Sequence, residues 1–100
     1  MKAYLITPDT RTIDAVDISD IAGIKKHIGF DTLESDAVGS AGDRLYFDEE
    51  CFLRGGGVRF QIDTLIPVSG PAVVIGTGAD GSLRDVALGI DELRGRVRYL

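Results

Sequence analysis

The chain contains no tryptophan, one histidine (His27), one cysteine (Cys51) and three prolines. A single thiol forms no internal disulfide, and small secreted domains usually carry several, so a reducing cytoplasm is the expected location. One cysteine and one histidine do not supply three or four nitrogen or sulfur ligands, which excludes a zinc site. Without tryptophan, and with Tyr and Phe at strand positions expected in the core, there is no obvious stacking platform for single-stranded nucleic acid. No Gly-Lys-Ser/Thr occurs, so a Walker A loop is absent. Long apolar runs are missing too. Met1–Ile6 carries one lysine and a short apolar stretch stopped by Pro8, too short for a signal peptide or a bilayer-spanning helix, and no membrane association is expected.

The chain has 44% apolar and 27% charged residues, spread along its whole length, which is the composition of an ordinary globular protein rather than a disordered one. One hundred residues make one domain with one small core, expected over residues 1–100. The net charge of −5 is unevenly placed. Residues 1–50 hold eleven acids against five lysines or arginines, whereas residues 51–100 hold five acids against six arginines. Such an acidic surface is repelled by phosphates, which argues against direct nucleic-acid binding and for a basic partner.

Met1–Ile6 and Arg11–Ile18 read as a hairpin around Thr7-Pro8-Asp9-Thr10, with β-branched Thr12, Ile13, Val16 and Ile18 in its second strand. Ser19 or Asp20 can cap the helix that follows, in which Ile21, Ile24 and Ile28 form an apolar stripe, Lys25 and Lys26 complement the dipole, and Gly29 ends the turn. Phe30–Val38 reads as a half-buried strand with Glu34 and Asp36 on one face. Asp43–Arg54 reads as a second hairpin, Leu45-Tyr46-Phe47 against Cys51-Phe52-Leu53, with Asp48-Glu49-Glu50 as its exposed tip. A break follows at Gly55-Gly56-Gly57, then a strand at Val58–Ile62 and a loop or edge between Pro67 and Pro71. Ala72–Ile75 is the best candidate for a fully buried central strand. Leu83–Leu88 reads as a returning strand, Asp91–Arg94 as one helical turn capped by Asp91, and Arg96–Leu100 as a last strand. The expected fold is α+β: a small, mostly antiparallel sheet with one main helix packed on a face and a short C-terminal helical turn.

Gly76-Thr77-Gly78-Ala79-Asp80-Gly81 matches the dinucleotide-binding G-x-G-x-x-G. That fingerprint needs a helix, a second strand and an acid further on, and the nineteen residues after Gly81, interrupted by Gly89 and Gly95, do not hold them. Ala79-Asp80-Gly81 is turn sequence. His27, among lysines on a helix, and Cys51, beside Glu50, read as structural residues, since neighbouring carboxylates blunt a thiol. Calcium-loop spacing is absent around Asp48-Glu49-Glu50, and no metal or cofactor is expected. No pattern selects a catalytic carboxylate pair from Asp43, Asp48, Glu49 and Glu50.

Several segments resemble an uncharacterised family of short proteins carried by phages, plasmids and other mobile elements of bacteria. They are Met1–Pro8 with Arg11-Thr12-Ile13, the aromatic and acidic run Leu45–Glu50 followed by Leu53-Arg54-Gly55, Gly70–Gly76 before Gly78-Ala79-Asp80-Gly81, and Asp91-Glu92-Leu93. The resemblance implies no catalytic residues. It implies an accessory gene product that binds host machinery.

The expected function is therefore non-enzymatic binding of a host protein through an acidic surface made by Glu34, Asp36, Asp48, Glu49 and Glu50, with a nucleic-acid-binding or defence protein as one target class. Glu34 and Asp36 on one strand face stand about 6.6–7 Å apart, close to the phosphate spacing along one DNA strand, and Asp14, Asp17 and Asp31 extend the charge. The alternative is a small-molecule or nucleotide binder in which Arg94, Arg96 and Arg98 hold phosphates, the last two from one face of a terminal strand. An edge strand near Pro67–Pro71 or at Arg96–Leu100 can also pair across a homodimer.

Overall fold

The structure, a computed structural model, describes residues 1–54 and 57–100. Its first hairpin pairs β1 (Lys2–Thr7) with β2 (Thr12–Asp17) in antiparallel register, Ile6 opposite Ile13. Arg11 closes the turn with a positive φ of 54° and donates its N–H to the Pro8 carbonyl at 3.1 Å. Helix α1 (Ile21–Ile28) starts where the Asp20 carboxylate accepts the Gly23 N–H at 3.0 Å. It stops at Gly29, whose φ of 89° lets its N–H reach the Lys25 carbonyl at 2.7 Å. Ile24 and Ile28 are buried as expected, but Ile21 is 42% exposed, so the apolar stripe is narrower than its spacing suggests.

A second hairpin joins β3 (Leu33–Val38) to β4 (Asp43–Asp48) through the Gly39–Gly42 turn. Between the two hairpins lies β7 (Ala72–Thr77), antiparallel to β1 on one side and β4 on the other. The strand order is β2-β1-β7-β4-β3, and β8 (Leu83–Arg84) pairs with the end of β7. A separate three-stranded sheet sets β5 (Arg59–Ile62) between β6 (Val68–Ser69) and β9 (Val97–Tyr99).

Both faces of the main sheet are covered. On one, Ala3, Val73 and Ile75 pack with Ile18 and with Ile24 and Ile28 of α1. On the other, Tyr4, Ile6, Leu45, Phe47 and Val74 pack with Phe60 and Ile62 of β5, Val68 of β6 and Leu93 of α3 (Ile90–Arg96). A strand buried on both faces has no solvent side to keep polar, which is why Ala72–Ile75 is a continuous apolar run and fully buried. The architecture is the expected α+β one, with the smaller sheet as an addition.

Three local expectations are corrected. Cys51-Phe52-Leu53 is not a strand but part of a short helix, α2 (Cys51–Arg54). The Asp48 carboxylate accepts the Glu50 N–H at 3.1 Å, and the Glu50 carbonyl accepts the N–H groups of Leu53 and Arg54, which turns the chain into a helical loop instead of a hairpin. Only Leu83–Arg84 of the expected Leu83–Leu88 strand is ladder-paired. Helix α3 starts from Gly89 with no side-chain cap from Asp91, and it extends to Arg96. Of the expected glycine break only Gly57 lies within the described residues.

The main sheet leaves β3 as an edge. The Glu49 N–H bonds the Thr32 carbonyl at 2.6 Å and prolongs the β3–β4 ladder. That phase turns the N–H and C=O of Ser35 outward. Side chains occupy both: Glu34 Oε1 accepts the Ser35 N–H at 3.0 Å, and Arg44 Nη2 donates to the Ser35 carbonyl at 3.0 Å. Edge strands are commonly guarded by charged side chains in this manner.

Gly76 sits where β7 meets the chain returning from β8. A Cβ built on it falls 2.3 Å from the Asp85 carbonyl oxygen and 3.1 Å from that of Arg84. Both obstacles are backbone, so Gly76→Ala is expected to cost about 2–3 kcal/mol in urea unfolding through overpacking. A loss below about 0.5 kcal/mol would show that the 84–85 segment yields freely.

Candidate functional site

Of the five acids expected on the binding surface, four are at the surface and one is not. Glu34 is exposed and Asp36 half-buried on β3, whose pairing with Phe47 and Leu45 puts both side chains on one face of the sheet. Glu49 and Glu50 are exposed between β4 and α2. Asp48 is the correction: it is 3% exposed and fully engaged. Its carboxylate accepts from the Thr32 hydroxyl at 2.5 Å, the Glu50 N–H at 3.1 Å and Arg54 Nε at 2.6 Å. Burial pushes the Asp48 carboxyl up, but these three donors and the charge of Arg54 outweigh it and hold it below the usual carboxylate range. Asp48 is thus the anchor of α2 rather than part of a contact surface.

Arg54 is the partner that sequence reasoning missed. The Asp48 hydrogen bond, against some desolvation, raises its affinity for its proton. Glu50 adds a second ion pair at 3.5 Å. The guanidinium lies over the Phe30 ring, 3.7 Å from its centroid. The available signal was the four-residue spacing of Glu50 and Arg54, which is a helical pairing pattern. Leu53, at 84% exposure, and half-exposed Phe52 project from the same short helix.

Behind Arg54 opens a cavity of about 200 Å³. Ile28, Phe30, Cys51 and Pro71 supply apolar wall, Ser69 and glycines 57 and 70 supply backbone and hydroxyl groups, and Asp9, Asp48 and Arg54 supply charge. The Ser69 hydroxyl donates to the Cys51 carbonyl at 3.1 Å, tying α2 to β6. Cys51 is buried there, and His27 does not line the cavity, so no thiol–imidazole pair is assembled in it. Asp9 joins from the β1–β2 turn.

The arginine ladder is also redrawn, because Arg96 ends α3 and only Arg98 lies in β9. Arg96 forms a two-pronged ion pair with Asp63, which lowers the Asp63 pKa chiefly through that hydrogen bond and raises that of Arg96. Arg98 donates to Gln61 Oε1 at 2.7 Å, and Arg94 to Asp91 at 3.2 Å and to the Ile13 carbonyl at 3.2 Å. The three are engaged separately rather than converging on one ligand position.

Asp43, weighed with the other acids for a carboxylate pair, is 3% exposed and accepts the N–H groups of Ala87 and Leu88 at 2.8 and 3.0 Å. The G-x-G-x-x-G match is a turn: the Gly78 N–H bonds the Ser82 carbonyl at 2.8 Å, and Asp80 is held ionised by the Ser82 hydroxyl and amide. Among the described residues no group of three or more His, Cys, Asp or Glu side chains is gathered to hold a metal ion, and no helix is long and apolar enough to cross a membrane. Comparison of the chain with protein-family models, with curated proteins and with solved structures gives no match.

Proposed function

We propose that this chain is a non-enzymatic binding module, the product of a phage or other mobile element, that engages a basic patch on a host protein through the acids beside the β3 edge. The observation that carries the reading is the grouping of Glu34 and Asp36 on the edge strand with Glu49 and Glu50, joined through the Thr32–Glu49 hydrogen bond. Among the described residues, only Glu50 of these four has a cationic partner within ion-pair distance. An edge on which three of four carboxylates make no ion pair among the described residues favours encounter with a cationic surface and disfavours phosphate. The mobile-element origin rests on the resemblance carried by Met1–Pro8, Leu45–Glu50 and Gly70–Gly81. The spacing of Glu34 and Asp36 makes a nucleic-acid-binding or defence protein the favoured target class. The nucleotide-binding alternative has less support, because Arg94, Arg96 and Arg98 are each occupied by an intramolecular partner.

The test is capture from host lysate at low and high salt, with wild type and a Glu34→Lys, Asp36→Lys, Glu49→Lys, Glu50→Lys variant as baits. A stoichiometric partner held by wild type at low salt is expected to bind the variant at least about tenfold more weakly and with a shallower salt dependence. Equal capture by both baits sinks the proposal.

A further inference from the structure

The cavity behind Arg54 has a charge pattern that selects its occupant. Its walls are apolar through Ile28, Phe30 and Pro71, and its charged lining is two carboxylates, Asp9 and Asp48, against one guanidinium, Arg54. Arg54 is already committed to Asp48 and Glu50 and stacked on Phe30, so it neutralises Asp48 and offers little to an anion. Asp9 differs. Among the described residues its one amide contact, the Val58 N–H, is at 3.5 Å, and none of the ion pairs involves it. An apolar slot with an uncompensated carboxylate in its lining suits a slender aliphatic stem ending in a cation.

Building on the binding-module reading, we propose that this cavity receives the side chain of a lysine presented by the protein partner, its methylenes against Ile28, Phe30 and Pro71 and its ammonium on Asp9. An ammonium is favoured over a guanidinium because Arg54 already covers the Phe30 ring, the aromatic surface a second guanidinium would stack on. The cavity adjoins the Glu49–Glu50 acids through the Glu50–Arg54 ion pair, so the acidic edge and the slot can be engaged by one basic partner surface.

The probe is n-butylammonium, titrated into the isotopically labelled full chain and followed by amide chemical shifts. Dissociation constants in the millimolar range are expected for so small a ligand, with shifts centred on Asp9, Cys51, Gly57 and Gly70. Nα-acetyl-lysine methylamide is expected to shift the same amides, 1-butanol to bind more weakly, and butanoate not to bind. Asp9→Asn, at an exposed turn position, is expected to weaken butylammonium about fivefold without loss of fold. Shifts scattered over the surface, equal binding by butanol, or no effect of Asp9→Asn overturns the assignment. Binding of butylammonium but not of the lysine amide overturns the lysine side chain as occupant. These readouts use no host partner, so their failure leaves the charge-reversal result standing, and the reverse holds equally.

Discussion

Replacing Asp43 by alanine is expected to destabilise the fold by about 3 kcal/mol. The buried carboxylate is the acceptor for two consecutive backbone N–H groups, those of Ala87 and Leu88, and so fixes the segment between β8 and α3 against the start of β4. Truncation leaves the buried Leu88 amide without an acceptor and opens a void beside it, two costs with the same sign. The midpoint of thermal unfolding is expected to fall by roughly 10–20 °C, given the size of the chain. Asp43→Asn retains one acceptor oxygen and is expected to lose about half as much. If the alanine variant unfolds within about 0.5 kcal/mol of wild type, the segment is held instead by its other ties. These are the Tyr4 hydroxyl donating to the Leu88 carbonyl at 2.9 Å, the Val86 N–H on the Lys2 carbonyl at 2.9 Å and the Lys2 N–H on the Asp85 carboxylate at 2.7 Å.

Asp48→Ala is the second large effect, about 2–3 kcal/mol at neutral pH from the loss of three hydrogen bonds to an ionised acceptor. Its signature is pH dependence. The folded-state pKa of Asp48 lies below that of the unfolded chain, which is near 3.9. The unfolded state therefore takes up the proton first, so the carboxylate's contribution is present above about pH 4 and is lost as pH falls through the folded value. The stability difference between wild type and variant, read by urea unfolding, is expected to be full at neutral pH and to shrink in acid. A difference that stays constant into acid would assign the effect to packing of the side chain and not to its ionised form.

These two residues also show where the sequence stops being informative. Asp43 and Asp48 stand at the two ends of β4 and look no different in the sequence from Glu49 and Glu50 beside them. What separates Asp43 from an exposed acid is a partner far along the chain, Ala87 and Leu88, which no local pattern encodes; Asp48 combines the distant Thr32 with the nearby Glu50 N–H and Arg54. By contrast the α1 caps, Asp20 and Gly29, and the apolar run of β7 were legible because their causes are local. At α2 two local signals conflict: Cys51-Phe52-Leu53 favours a strand, the Glu50–Arg54 spacing a helical turn, and the tie from Asp48 to Arg54 decides. The smaller sheet was out of reach for a different reason. Its β6 is two residues long, and β5 finds β9 only after the chain has passed through the main sheet. The cavity was illegible because its lining comes from five separate stretches between Asp9 and Pro71.

The strand order β2-β1-β7-β4-β3 has a consequence for how the chain is made. Both hairpins are complete by residue 48, yet the strand that joins them ends at Thr77. At synthesis rates of about 5–20 residues per second, the two hairpins wait for seconds without the strand that joins them. During that interval β1 and β4 each present a ladder side with nothing to pair with, next to an apolar face that β5, β6 and α3 have yet to cover. The two hairpins cannot satisfy each other in the final register, because β7 must stand between them. The main sheet is therefore completed by contacts distant in sequence, made only once β7 has been synthesised.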